Sequence, residues 1–218
     1  GNYNVAVGAS SLSTTLAASN NTAIGYGSLS VNVHGHKNTA VGMNTLGAMA
    51  PASSSDSHNT AIGYSSQVSA TTGEFNTSLG SLSMGVGVAT GDYNVALGYE
   101  AGKALLAGQR NVLIGANAGD ALTTGEANVA VGHGALSAED ANGSTTAVGY
   151  KALNVQNAAA ESYNVAVGFE SAVSLVTGLY NTAVGGQALS TNDVGDDNVA
   201  VGYHALKTFE SDTDGHGS

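Results

Sequence analysis

The chain has 218 residues, a formal net charge of -11 and only five lysines and arginines. That balance argues against nucleic-acid binding, because contact with phosphates needs clustered basic side chains. The absence of cysteine excludes disulfides, thiolate nucleophiles and cysteine-ligated metals, and no apolar run reaches the roughly 18 residues of a membrane-spanning helix.

A pentapeptide organises the rest. Its first copy is Asn4-Val5-Ala6-Val7-Gly8 and its last is Asn198-Val199-Ala200-Val201-Gly202. Between them it opens on Asn21, Asn38, Asn59, Asn76, Asn94, Asn111, Asn128, Asn164 and Asn181, with Thr145 standing in once. It closes on Gly25, Gly42, Gly63, Gly80, Gly98, Gly115, Gly132, Gly149, Gly168 and Gly185, and most steps between glycines are 17 residues. A fixed period of this size marks a repeat architecture.

With the opening Asn as position 1, position 2 is Val or Thr and position 4 is Val, Ile or Leu. Position 3 is Ala except for Ser78 and Leu113, and position 5 is always Gly. Branched residues at 2 and 4, bounded by Asn and Gly, predict a short strand. The expected fold is all-β: a parallel β-solenoid, or β-roll, of about twelve 17-residue coils over 1–210, followed by a polar tail, 211–218.

Position 8 is small in every unit, and position 9 is Leu in seven, including Leu12, Leu29, Leu136 and Leu206. Positions 2, 4 and 9 are expected to fill the coil. Ala at position 3, or the small residue at position 8, is then left to face other chains. A strand apolar on both faces needs a second covering surface, which predicts an oligomer. None of the 21 charged residues falls at positions 1 to 6, 8 or 9, which places the return from position 10 onward outside.

Eleven of the twelve aromatic residues stand just after the glycine, as Tyr26 and Tyr64 do, or just before the asparagine, as Phe75 and Tyr93 do. They are expected to stack as ladders along the strand edges rather than to form a sugar platform. The repeated Asn is expected to satisfy backbone groups as a hydrogen-bonded ladder. Four extra residues in the third unit, around Ala50-Pro51-Ala52-Ser53-Ser54-Ser55, read as a surface loop.

Signatures of chemistry are sparse. No nucleophile elbow, phosphate loop or dinucleotide fingerprint occurs, and no enzyme and no cofactor are expected. His34 and His36 form a candidate metal pair that an axial assembly would multiply, although both sit in the exposed return. Asp193, Asp196 and Asp197 form an acidic group whose spacing alone is a poor calcium signal.

The unit Asn181-Thr182-Ala183-Val184-Gly185-Gly186-Gln187-Ala188-Leu189 resembles the Asn-Thr-Ala-Val-Gly-Tyr-x-Ala-Leu repeats of phage tail-fibre and related bacterial surface proteins. It is also similar to the head repeats of trimeric autotransporter adhesins, a β-roll wound as a trimer. The resemblance runs from Asn4 to about Leu206. It implies the shaft or head of a homotrimeric extracellular fibre, intertwined or packed on an axis, on a virion or a cell surface. The partners it implies are sister chains, other fibre or virion proteins, and a glycan or protein receptor, with no membrane insertion. Alternatives are a bacterial adhesin or filament subunit and, with Thr recurring at position 2, an ice- or glycan-binding solenoid.

Overall fold

The computed structural model describes residues 1–208 apart from Val86 and Val88, so the tail 211–218 lies outside the described residues. Twelve three-residue strands, from Val5–Val7 to Val199–Val201, pair in sequence order in one parallel sheet. The chain is a parallel β-solenoid of about 11 turns with about 17 residues per turn, and no helix occurs among the described residues. Register is strict, with Ala6 opposite Ala23 at one end and Ala183 opposite Ala200 at the other. Backbone bonds bracket each strand: the Val5 N–H donates to the Asn21 carbonyl at 2.8 Å, and the Gly25 N–H to the Val7 carbonyl at 2.7 Å.

The expected assignment of strand faces is reversed. Ala23, Ala40, Ala61, Ala96, Ala130, Ala147, Ala166 and Ala183, all at position 3, are fully buried inside the coil. Positions 2 and 4 point outward; Ile24 and Leu79 are 39% and 51% exposed. A 17-residue coil is narrow, and it admits a methyl group from the strand only where a larger side chain faces it from the far wall. That side chain is the leucine at position 9, and Leu29, Leu46, Leu136, Leu153 and Leu189 are all buried, as expected. Position 8 is interior too, as Ser28, Thr45, Ala118 and Ala152 show, so it does not face other chains.

The return is not wholly outside either. Position 12 fills the same interior through Met49, Leu105, Leu122 and Leu175. At this position Glu139 is fully buried. Its carboxylate accepts from the Asn142 N–H and the Gln156 amide, each at 3.1 Å. Those donors satisfy its buried oxygens.

The coil turns at four posts. The glycine at position 5 has φ between 124° and 142°, a region open essentially to glycine alone. A Cβ on Gly132 would also collide with the carbonyl of Gly149 in the next coil. The other posts, at positions 7 and 9 and just before the asparagine, are left-handed yet mostly held by larger residues. Tyr93, Glu100 and Leu136 have φ of 60°, 56° and 52°. Stacking and burial offset the cost of that conformation, which isolated residues of this size avoid.

Candidate functional site

The asparagines line the interior. Each Oδ1 accepts the backbone N–H of the asparagine in the next coil, as Asn4 does from Asn21 at 2.9 Å and Asn111 from Asn128 at 2.9 Å. Most of the amide groups also donate across the coil, as from Asn94 to the Gly108 carbonyl and from Asn181 to the Gly195 carbonyl; the buried Asn38 amide nitrogen does not. The column therefore satisfies buried backbone polar groups. It breaks once, at Thr145, where Gln156 takes over by donating to Thr145, Ser162 and Glu139.

The histidine pair lies in the return of the second unit, where Gly35–His36 pairs with Ser55–Asp56 of the third-unit loop in a second, two-stranded sheet. His36 Nδ1 accepts the Ser19 N–H at 3.0 Å, and Nε2 lies 2.7 Å from Ser54 Oγ. Both nitrogens are thus engaged within the chain. Asp92 and Asp196 hold the same post in later coils, accepting the Glu74 and Leu179 N–H groups at 2.8 and 2.7 Å. So His36 acts as a cap between coils, and of the acidic group one member does likewise. Among the described residues no three His, Asp or Glu side chains are grouped to hold a metal ion.

What remains is the outward face of the sheet. Its two inner columns are positions 2 and 4; its margins are the residue before the asparagine and the residue after the glycine. Coils stacked about 4.8 Å apart, with the pentapeptide spanning about five residues of width, give this face an area on the order of 900 Å². Both margins carry ring ladders. Phe75 stacks on Tyr93 with centroids 5.0 Å apart, and Tyr150 stacks on Phe169 at 5.3 Å. Two histidines extend these ladders, His58 over Phe75 and His133 over Tyr150. The sequence reading missed them because it counted only Phe and Tyr. Stacked neighbours cover one another's faces, so within a ladder it is ring edges that meet solvent. A flat sugar-stacking platform needs the faces.

Charge collects beside the margin. Lys103 lies 3.0 Å from Glu100, and the hydrogen bond it donates, with one from Tyr99, holds the Glu100 carboxyl below the usual carboxylate range. The same contact with Glu100 pushes the Tyr99 hydroxyl up. Lys37, 2.7 Å from Asp56, lowers that carboxyl in the same way. Both pairs are local, and the Lys37–Asp56 pair is solvated.

Comparison with known proteins leaves this geometry to stand alone: no family model matches the chain, and neither does a curated protein or a solved structure.

Proposed function

We propose that the chain is a structural and attachment protein, the rigid shaft or head of a homo-oligomeric extracellular fibre, and not an enzyme. One observation carries this reading: on the outer face of the sheet an aliphatic column at position 4 runs the full length beside a column of Val and Thr at position 2. Monomers seldom leave a continuous apolar patch beyond about 300–600 Å² in water. A face on the order of 900 Å² is close to the roughly 800 Å² per partner of a stable interface. Sister chains are the simplest cover, because each brings an identical face.

The number three comes from the resemblance to tail-fibre and autotransporter repeats, as does the placement on a virion or a cell surface. A fibre of this kind would serve reach, stiffness and multivalent contact with a glycan or protein receptor. Mass measurement of the folded chain in solution tests the reading. A trimer is expected, and a stable folded monomer at micromolar concentration would overturn it.

A second reading is favoured by one detail. Thr22, Thr39, Thr60 and Thr77 stand on the outward face in four successive coils. Such an array suits ordered water or ice. It requires the face to be open, so thermal hysteresis shown by a monomer would select it over the fibre.

A further inference from the structure

Building on the self-association proposed above, we infer that the two margins of the sheet face interlock with those of a second copy. Large side chains of one chain seat in gaps in the ring column of the other. The clearest gap is Ser81. It stands after the glycine of its coil, between Tyr64 one coil before and Tyr99 one coil after. Those tyrosines are 50% and 53% exposed and two coils apart, about 9.6 Å. Neighbouring rings in these columns stack at 5.0 to 5.7 Å, so the space over Ser81 is one ring thick.

The gaps are not scattered at random across the two margins. Where the residue after the glycine is small, the residue before the asparagine of that coil is large: Tyr3 with Ala9, Phe75 with Ser81, Arg110 with Ala116 and Tyr180 with Gly186. The reverse also holds for Asn20 with Tyr26, Ala127 with His133, Ser144 with Tyr150 and Asp197 with Tyr203. No coil is small at both. Six residues of near-extended chain, roughly 20 Å, separate the two margins of one coil, so they do not touch within a chain. A second copy running in the same direction brings them together level by level. At Gly186 the chain already leans its own Tyr203 ring over the gap. At Ser81 we assign the seat to Phe75 of a second copy. A copy running in the opposite direction, centred between the coils of Tyr93 and Arg110, would bring His133 to Ser81 instead.

The chain has no cysteine, so introduced thiols are unique. Phe75→Cys/Ser81→Cys should form interchain disulfides on mild oxidation, while neither single variant does. Crosslinking by Ser81→Cys/His133→Cys would support the interlock in the reversed orientation. As a second readout, Ser81→Trp should fill the seat and weaken association roughly tenfold or more, Ser81→Ala should not, and adding Phe75→Ala should restore it. The circular dichroism of each variant should match the parent. An oligomer that crosslinks through neither pair and tolerates Ser81→Trp would overturn the interlock and leave the fibre reading standing. A parent chain that is monomeric would remove both.

Discussion

Two stretches of the rod fill the same interior with different residues. Around Ala147 the rule is simple: a methyl at position 3 lies among Leu136 and Leu153 at position 9, all fully buried. Around Leu113 the rule is inverted. Gly102 and Gly119 occupy position 9, and Leu113 occupies position 3 with its side chain fully buried. A Cβ on Gly102 or Gly119 would lie 2.7 or 2.8 Å from a Leu113 methyl. One leucine thus fills the room that two missing leucines vacate. The stretch at Ser78 makes a polar version of the exchange, with Gln67 at position 9 donating to Ser78 at 2.8 Å. The coil holds its cross-section constant while the residue that fills it changes.

The largest effect should come from what both stretches share. Gly132→Val and Gly115→Val each place a β-branched residue at φ of 136° and 129° and drive a Cβ into the next glycine's carbonyl. Each should cost at least about 4 kcal/mol, enough to abolish the folded state in thermal melts. If one is tolerated and the other is not, the two stretches differ in backbone as well as in filling.

Next comes the exchange itself. Leu113→Ala should destabilise by about 2–5 kcal/mol through the cavity it leaves. Adding Gly119→Leu should recover part of that loss, because Leu136 and Leu153 hold the same left-handed post elsewhere. Gly119→Leu alone should overpack and cost about 1–3 kcal/mol. Denaturant midpoints of the single and double variants give the coupling, and additive effects would show that the sites do not share one cavity.

A pair of neighbouring substitutions separates inside from outside. Ala40→Asp buries an unpaired charge and should prevent folding. Val41→Asp, one residue on and half-buried on the outer face, should leave coil folding within about 0.5 kcal/mol of the parent. Its effect should fall on association instead, read as a loss of mass in solution with the circular dichroism retained.

The period, the strand at each pentapeptide and the obligatory glycine were legible because each repeats without exception or nearly so. The inner and outer faces were not, since Ala at 3 and Val at 2 and 4 are all apolar, and a shift of one residue turns every side chain over. A signal was present. Leu113 enters at position 3 in the stretch where Gly102 and Gly119 replace leucine at position 9, which implies that 3 and 9 share a space. The left-handed corners were hidden for a different reason. Tyr, Glu and Leu carry no local preference for that conformation, and tertiary packing alone imposes it. The candidate face was legible as an apolar surface needing cover, but its columns followed only once the register was known.

The smallest effect lies beside Gly119, in the stretch with the inverted filling. Asp120 keeps one carboxylate oxygen buried without a partner, and the other accepts from the Asn117 amide at 3.4 Å. Burial is the main cause that pushes its carboxyl above the usual 3.8, and the Glu100 charge adds to it. A raised acid is one whose charged form the fold disfavours. Its cost is therefore present at neutral pH, fades as pH falls through the raised folded value, and is gone below 3.8, where the group is protonated folded or unfolded. Asp120→Asn should accordingly stabilise the rod at pH 7 by about 0.5 kcal/mol or less, given solvent screening at this partly open site. The gain should vanish in acid. Glu100 runs the opposite way: its lowered carboxyl stabilises the fold above the usual 4.5, and that contribution is lost as pH falls. Glu100→Gln should thus lower the melting temperature at neutral pH and leave it unchanged in acid. Melts of both variants across this range measure the two signs side by side, and an Asp120→Asn gain that persists in acid would trace the strain to packing at Gly119 rather than to charge.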